Sequence, residues 1–303
     1  TRRPRRSMSA VLSALDDFAA ASAHAPLVCA SACASEFTFG AGDFERVRRL
    51  IYQRAGISLG AGKQAMVYSR LSRRLRETAH ASFGAYLQWL EHGGAGPEWQ
   101  EFVNCLPTNL TSFFREEHHF DVPAAELRKR AGAPTRIWCN AASTGEEPYS
   151  IAITVAETCA DVQDTQQVRI VASDIDTRVL ASAARGVYPV ETRGLSRERM
   201  HAHFLRGKGL NAGLVRVKPV LSKLIEFRQH NLMAEDWSLG EPFDIVFCRN
   251  VMIYFDAATQ RRVLERMHRA MTPGALLFAG HAENFGNATD LFRLRGKTLY
   301  ERV

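Results

Sequence analysis

The chain has 303 residues, of which 46% are hydrophobic, and this is enough for one large folded domain and a smaller one. A formal net charge of +7 favours an acidic partner, which could be nucleic acid, an anionic membrane surface or an acidic protein segment. The six cysteines include no Cys-x-x-Cys pair, and no apolar run reaches the ~18 residues of a membrane span. We therefore expect a reduced, cytoplasmic protein without a metal or a membrane insertion, and we take it to be a monomer.

The first third of the chain divides into a tail, a helical domain and a linker. Residues 1–36 are rich in alanine and serine, so we expect a mostly mobile tail. Apolar residues then recur at helical spacing and predict an all-helical domain over residues 37–106, followed by a linker over residues 107–134. The predicted helices are one that ends at Gly56 and three that cover Lys63 to Thr78, Ser82 to Glu91 and Glu98 to Leu106.

The second of these helices is amphipathic and basic. When about 100° per residue is assigned, its cations lie beside the apolar stripe: Lys63, Arg70, Arg73 and Arg74. Arg70 and Arg74 form a like-charge pair at i, i+4, which is mildly unfavourable in an isolated helix. We expect this face to bind the acidic segment of a partner. A solvated charged face would give the same pattern.

Apolar strands alternate with helices from Arg136 onward. The strand candidates are RIWCNAA, VRIVASD, FDIVFCRN and ALLFAG. Such alternation is typical of a parallel sheet with helices on both faces, so residues 135–303 predict a doubly wound α/β fold. The stretch at about 187–226 interrupts the alternation, and we expect a small inserted antiparallel β-subdomain there.

In doubly wound folds, ligands bind at the carboxyl ends of the strands. After the first strand, small residues from Ala141 to Gly145 let the backbone approach a ligand, and Pro148 suits the first turn of the next helix. The second strand ends at Asp174, about 30 residues after the glycine turn, where a carboxylate can bind both hydroxyls of a ribose. We expect the nearby Asp176 to cap the following helix instead.

Glu146 and Glu147 follow the glycine turn directly. Two carboxylates at a helix N-terminus are unsuited to holding a pyrophosphate, because like charges repel. They can meet a sulfonium ligand that carries an amino group. For Glu147, a favourable interaction with the helix dipole is an equally good explanation.

Several long motifs in this order resemble those of the chemotaxis receptor methyltransferase (CheR) family. They are TNLTSFFREEHHF, AASTGEEPYSIAI, ASDID, FCRNVMIYF and LLFAGHAENF, and the helical region with LIYQRAGISL and MVYSRLSRRLR also resembles the N-terminal domain of that family. The resemblance implies a Rossmann-like fold that binds S-adenosyl-L-methionine and releases S-adenosyl-L-homocysteine. It further implies methylation of glutamate side chains on the cytoplasmic helices of bacterial chemoreceptors.

The same resemblance implies a donor site and a pair of residues that position the reacting groups. The implied donor residues are Asn109, Thr111, Arg115, Glu146, Asp174, Asn231, Leu232, Arg249 and Asn250. The two positioning residues are Arg115 and Tyr254, although Tyr254 also fits a core residue in the apolar VMIYF run. No general base is expected, because the reference pKa of glutamate is about 4.3 and its carboxylate is ionised near neutral pH.

Two other functions fit parts of the sequence. A nucleic-acid methyltransferase would suit the positive charge. However, no proline in the chain is followed by cysteine, and the Pro-Pro-Tyr/Phe motif is absent, so we expect no nucleic-acid substrate. A catalytically silent scaffold that binds receptors is the other alternative, and the presence of Arg115, Asp174 and Asn250 disfavours it.

The inserted stretch contains the segment RGKGLNAGLVRVK, which predicts a β-hairpin with one polar face. Gly207, Gly209 and Gly213 bracket its turn, and Arg216 lies on the polar face of the strand that follows. Some members of the resembled family use this subdomain to bind a receptor C-terminal pentapeptide, Asn-Trp-Glu-Thr-Phe. We expect the same here, with Arg206, Lys208 or Arg216 meeting the carboxylates of the peptide. A hairpin that only shields the edge of the active site is the alternative.

Overall fold

A computed structural model describes residues 36–93, 96–130, 132–159, 165 and 167–303. Apart from Glu36, the tail predicted for residues 1–36 lies outside the described residues. Within those ranges, no helix is both long enough and apolar enough to cross a membrane.

Four helices form the N-terminal part of the structure. Each ends within two residues of its predicted end, and their bounds are Ala41–Ala55 (α1), Gln64–Glu77 (α2), Phe83–Glu91 (α3) and Glu98–Cys105 (α4). Gly56 ends α1 with φ of 71°, a left-handed conformation that favours glycine. A 3-10 turn, Ala61–Lys63, leads into α2. The apolar faces of the helices bury one cluster that includes Val47, Leu71 and Phe83.

The rest of the chain forms a sheet of seven strands. Their bounds are Thr135–Cys139 (β1), Val168–Asp174 (β2), Ile225–Gln229 (β6), Phe243–Cys248 (β7), Met271–Ala279 (β8), Phe292–Gly296 (β9) and Leu299–Arg302 (β10). The strand order is β6-β2-β1-β7-β8-β10-β9. The first five strands in this order are parallel, and β10 pairs antiparallel with both β8 and β9. The predicted doubly wound fold is confirmed.

Helices cover both faces of this sheet. Their bounds are His118–Lys129 (α5), Glu146–Thr158 (α6), Thr177–Arg185 (α7), Arg197–His203 (α8), Pro219–Ser222 (α9) and Ala257–Arg269 (α10). One apolar layer contains Ile137, Ile151 and Phe247, and the other contains Trp138 and Val263. Since Ile137 and Trp138 are consecutive residues of β1, the two layers lie on opposite faces of the sheet.

The interrupted stretch forms a separate three-stranded antiparallel sheet, as predicted. Its strands are Val187–Pro189 (β3), Phe204–Arg206 (β4) and Leu214–Val217 (β5), in the order β3-β5-β4. In β5 the side chains of Val215 and Val217 are buried, whereas Arg216 between them is exposed. The turn between β4 and β5 holds Gly209 and Gly213 at positive φ, so the hairpin depends on its glycines.

Candidate active site

A cleft lies at the carboxyl ends of the parallel strands. Its empty volume is about 840 Å³, which includes the open solvent at its mouth. Residues that follow β1, β2, β6 and β7 line it, and β1 is the strand at which the order of the sheet reverses. This is the switch point at which open α/β sheets bind their ligands. The linker after α4 contributes further lining residues, and so do Ala55 and Ile57 from the helical part. The cleft is therefore built from all three predicted segments between residues 37 and 303.

Asp174 at the end of β2 lines the cleft and is 8% exposed. Its carboxylate accepts hydrogen bonds from the backbone N–H groups of Ser143, at 2.8 Å, and Asp176, at 2.9 Å. Burial raises the pKa of Asp174 to about 6, and these N–H groups oppose the rise. A carboxylate has about four lone-pair sites, so Asp174 can accept further hydrogen bonds from a ligand. Asp176 caps α7, as predicted, by accepting from the N–H groups of Arg178 and Val179.

The linker passes over the cleft and is attached to its surroundings by hydrogen bonds. The side-chain amide of Asn109 donates to Asp176 at 2.8 Å, and the Tyr254 hydroxyl donates to the carbonyl of Thr108 at 3.2 Å. From α2, the guanidinium of Arg70 donates to the carbonyls of Leu106 and Pro107 and to the Thr108 hydroxyl. Of the predicted linker residues, Asn109, Thr111 and Arg115 all line the cleft, and so does Tyr254.

Arg249 lines the cleft, but its guanidinium is held by the protein. Its side chain is fully buried and forms ion pairs with Glu147, at 2.5 Å, and Glu116, at 3.2 Å. It also donates to the backbone carbonyl of Arg115. Arg249 therefore fixes the positions of Glu147 and of the Arg115 backbone. The ion pair with Arg249 is an interaction of Glu147 that the sequence did not suggest.

Glu146 differs from the expectation, because it does not belong to the lining of the cleft, whereas its neighbour Glu147 does. The Thr144 hydroxyl donates to the Glu146 carboxylate at 2.6 Å. Burial raises the pKa of Glu146. On the first turn of α6, adjacent residues point about 100° apart, and Glu147 is the one of the two that lines the cleft.

Three further predicted residues lie along the ends of β6 and β7. Asn231, Leu232 and Asn250 all line the cleft. The side-chain amide of Asn231 donates to the carbonyl of Arg54 at 2.7 Å, so it joins the sheet domain to the end of α1. Asn250 has φ of 59°, an uncommon value for a residue other than glycine.

Asn140 was not among the predicted residues. It directly follows β1, lines the cleft and is 3% exposed. Neither its amide nitrogen nor its amide oxygen has a hydrogen-bond partner within the described part of the chain. Burial raises the pKa of the Cys248 thiol, and the nearby Asn140 amide opposes that rise. A thiol is only a weak hydrogen-bond partner for the amide. An unpaired buried amide costs about 1–3 kcal/mol, which points to a ligand that pairs with it.

The predicted basic face of α2 differs from the expectation at Arg74. Arg74 is buried at 7% exposure and forms ion pairs with Glu98 and Glu77. Its guanidinium therefore belongs to the core of the helical part. Lys63 and Arg73 are exposed, and Arg70 is partly exposed where it holds the linker. The i, i+4 pair of Arg70 and Arg74 is relieved within the fold, by the linker carbonyls and by Glu98.

The hairpin residues do not line the cleft. Arg216 is exposed on β5, and Gly207, Gly209 and Gly213 shape the turn before it. Tyr188 of β3 connects this small sheet to the glycine turn, since its hydroxyl donates to the carbonyl of Thr144 at 2.9 Å. The structure thus brings the donor residues together and leaves the predicted peptide-binding residues apart from them.

A doubly wound sheet with a cleft at its switch point and an acidic residue at the end of its second strand is typical of a protein that binds a nucleoside or nucleotide. Two family models match the chain: "CheR methyltransferase, all-alpha domain" over residues 42–106 and "CheR methyltransferase, SAM binding domain" over residues 109–300. The chain belongs to the CheR methyltransferase family.

Similar proteins carry corresponding names. The chemotaxis protein methyltransferase of Klebsiella aerogenes is 52% identical over 258 residues, which are 85% of this chain and 88% of that protein. That of Escherichia coli is 48% identical over 258 residues, 85% of this chain and 89% of that protein. Chemotaxis protein methyltransferase 2 of Pseudomonas aeruginosa is 51% identical over 272 residues, 88% of this chain and 94% of that protein. The expected cofactor, S-adenosylmethionine, and the methyltransferase class are confirmed.

The residues of the cleft fit this cofactor. Asp174 can accept hydrogen bonds from ribose hydroxyls, and the unpaired amide of Asn140 offers both a donor and an acceptor to an amino-acid group. Leu232 and Ile57 supply apolar surface for a base. Within the described ranges, no cluster of histidine, cysteine and acidic residues is arranged to hold a metal ion.

Proposed function

We propose that the chain transfers a methyl group from S-adenosylmethionine to glutamate side chains of chemoreceptors and so forms glutamate methyl esters. The observation that carries this proposal is the positive charge beside the Tyr254 hydroxyl at the cleft. Arg115 lines the cleft together with Tyr254, and Arg70 donates to the Thr108 hydroxyl, on the residue whose carbonyl accepts from the Tyr254 hydroxyl. Two cations beside a hydroxyl suit a substrate that enters as a carboxylate. The names of the related proteins support chemoreceptors as the substrates.

The donor-binding roles are distributed over the cleft. We assign the ribose to Asp174, the base to the wall formed by Asn231 and Leu232, and the amino-acid end to Asn140 and Arg115. Asn109 and Thr111 close the site from the linker, and Asn250 closes it from the end of β7. Glu147 takes the place of Glu146 in this assignment, and Arg249 acts by holding Glu147 and the Arg115 backbone.

Catalysis in this proposal needs alignment rather than a proton acceptor. S-adenosylmethionine supplies an electrophilic methyl group, and the glutamate carboxylate attacks it without first losing a proton. Arg115 and Tyr254 orient the reacting groups, and the linker excludes water from the carboxylate. Orientation of this kind supplies up to about 7–11 kcal/mol in favourable cases.

We assign receptor binding to two surfaces outside the cleft. Lys63 and Arg73, with the exposed part of Arg70, form a basic surface on α2 that suits an acidic receptor helix. Residues 37–106 would then be the receptor-recognition domain, 107–134 the linker and 135–303 the methyltransferase domain. The enzyme would act as a monomer in the cytoplasm, where these receptor helices lie.

The second surface is the hairpin with Arg216, which would bind a receptor C-terminal pentapeptide and raise the local enzyme concentration. Titration of a peptide ending in Asn-Trp-Glu-Thr-Phe tests it. Saturable binding that Arg216→Glu weakens would support the assignment. No binding by the wild-type protein would remove the pentapeptide and leave the methyltransferase activity in place.

The proposed reaction is tested with S-adenosylmethionine labelled in its methyl group and the cytoplasmic fragment of a receptor. Glutamate methyl esters release labelled methanol in mild base, whereas N-methyl groups do not. We expect base-labile label on the fragment and none on a matched fragment with glutamine at the accepting positions. Base-stable label, or equal label on DNA, would contradict the proposal.

A further inference from the structure

The segment that follows β7 forms one wall of the cleft and depends on an acidic residue from elsewhere in the chain. Asn250 and Val251 line the cleft, and a 3-10 helix, Met252–Tyr254, comes next. The first backbone N–H groups of a helical turn have no partner within that turn. Without an outside acceptor, the N–H groups of Asn250, Val251 and Met252 would therefore be left unpaired.

Glu283, in the segment after β8, accepts all three. Its Oε2 accepts from the N–H of Asn250 at 2.9 Å, and its Oε1 accepts from those of Val251 at 2.9 Å and Met252 at 2.8 Å. The Oε2 atom also accepts from the N–H of Gly280. Four backbone donors thus converge on one carboxylate, and each of its oxygens accepts two of them.

This carboxylate is buried and cannot be exchanged for a neutral group of the same shape. Glu283 is 5% exposed. Burial raises its pKa, and the four N–H groups oppose the rise. An amide in its place would turn an NH₂ group toward two N–H donors, whichever way the amide is oriented.

The bonds to Glu283 also hold a strained residue. Asn250 has φ of 59°, and a residue other than glycine keeps such a conformation only where its surroundings impose it. The two segments are in close contact, since a side chain at Gly280 would collide with the Asn250 side chain. Asn250 thus depends on Glu283 for its conformation, and on Gly280 for the space that its side chain occupies.

Glu283 itself is not among the residues that line the cleft. We propose that it is a positioning residue, whose carboxylate fixes the backbone from Asn250 to Met252 so that this wall keeps the shape that binds the donor. The proposal rests on the proposed function, because it assigns the wall to the donor site. It gives a role to the HAENF motif, which the donor site alone does not explain.

The test compares Glu283→Gln with a matched control, Glu98→Gln. Glu98 is a carboxylate of similar burial, at 7% exposure, in the helical part, where it pairs with Arg74 and Tyr86. We expect Glu283→Gln to raise the Kd for S-adenosylhomocysteine about tenfold or more at a temperature at which both variants are folded. Glu98→Gln should lower Tm and leave that Kd unchanged.

Two further measurements do not depend on that variant folding. Glu283→Asp keeps the charge on a shorter side chain that cannot reach all four N–H groups, and we expect its Kd for S-adenosylhomocysteine to be higher than that of the wild type. In the ligand-free wild-type protein, hydrogen exchange at the amides of Asn250, Val251 and Met252 should be slow.

The outcomes separate the two proposals. Unchanged Kd in Glu283→Gln or in Glu283→Asp, or fast exchange at these three amides, would overturn the role of Glu283 while the proposed function stands. If the wild-type protein itself binds no S-adenosylhomocysteine, the proposed donor site fails together with the role of Glu283.

Discussion

Two buried arginines each pair with two glutamates, but only one of them lies among buried polar atoms that have no partner in the described part of the chain. In the helical part, Arg74 pairs with Glu98 and Glu77, and the Tyr86 hydroxyl donates to Glu98 at 2.8 Å. At the cleft, Arg249 pairs with Glu147 and Glu116. At the cleft, however, the described structure leaves polar atoms unpaired: Nε of Arg249 itself and both amide atoms of Asn140, which lines the same cleft.

The difference indicates which buried polar residues stabilise the fold and which are available to bind a ligand. A fully paired buried network contributes to the fold, whereas removal of one of its members leaves an uncompensated charge. A network with unpaired atoms facing a cleft has capacity left for a ligand. We therefore expect substitutions around Arg74 to change the free energy of unfolding, and substitutions at the unpaired atoms of the cleft to change donor affinity.

The largest effect should come from Arg74→Met. This change leaves Glu98 buried without its cation, so we expect the free energy of unfolding to fall by about 3–5 kcal/mol in chemical denaturation. Arg73→Met is the matched control on the same helix, and the exposed ion pair of Arg73 with Glu77 should contribute less than about 1 kcal/mol. Equal losses in the two variants would mean that burial does not distinguish the networks.

Asn140→Ala should lower the affinity for the donor and not the stability of the fold. It removes an amide that is unpaired without a ligand, so the unfolding free energy of the ligand-free protein should stay the same or rise. Affinity for S-adenosylhomocysteine should fall by about 1–3 kcal/mol in calorimetry.

The control for Asn140 is Asn104→Ala. Asn104 is also buried, but its amide donates to the Thr177 hydroxyl and accepts from the side-chain amide of Gln100. This variant should lose stability and keep its affinity. A destabilised Asn140→Ala with unchanged affinity would remove Asn140 from the donor site.

A change of pH should have a smaller effect on the affinity for S-adenosylhomocysteine. Because the folded pKa of Asp174 is raised to about 6, the ligand-free protein gains stability from this group at low pH and loses it as pH rises through about 6. A bound ribose favours the ionised form. The affinity for S-adenosylhomocysteine should therefore be full above pH 6 and should weaken as pH falls toward 5.

Calorimetric titrations at several pH values check this, with Asp174→Asn as the comparison. In that variant the affinity should be weaker and nearly independent of pH over the same range. His230, also in the cleft wall, has its pKa lowered to about 4 by burial and stays neutral throughout. A wild-type affinity that does not change through pH 6 would argue against the ribose assignment.

The smallest effect is expected at the surface of α2. Arg73→Glu reverses an exposed charge, so receptor methylation should slow by about two- to fivefold at low salt, and the difference should shrink at high salt. Lys223→Glu, an exposed reversal outside α2, should have no effect. Equal methylation rates for the wild type, Arg73→Glu and Lys223→Glu at every salt concentration would favour a charged face of α2 that contacts only solvent.

Much of the fold follows from local patterns. The first helix ends where Gly56 permits a left-handed residue, and Asp176 caps α7 because a short carboxylate stands just before a helical run. The edge pair β9 and β10 was not predicted, since the exposed residues of β9 leave a weak apolar pattern. Short strands with polar faces acquire their pairing only from the neighbouring sheet.

Within the site, the sequence could place residues at strand ends but could not assign their partners. Arg74 was expected to face a partner. Its ion pair with Glu98 spans 24 positions along the chain, so no local pattern in the sequence indicates it. Of Glu146 and Glu147, only Glu147 lines the cleft, because the rotation of α6 decides which carboxylate faces it. Asn140 could have been found, as a polar residue directly after a buried strand at the switch point.

The proposed donor site is the cleft at the carboxyl ends of β1, β2 and β7. Calorimetric titration of S-adenosylhomocysteine into the wild type and Asp174→Ala tests it most directly. We predict saturable binding of one ligand per chain, and an affinity at least about tenfold weaker in the variant at a temperature at which both proteins are folded, because two ribose hydrogen bonds are lost. Equal affinity of the two proteins would contradict the claim.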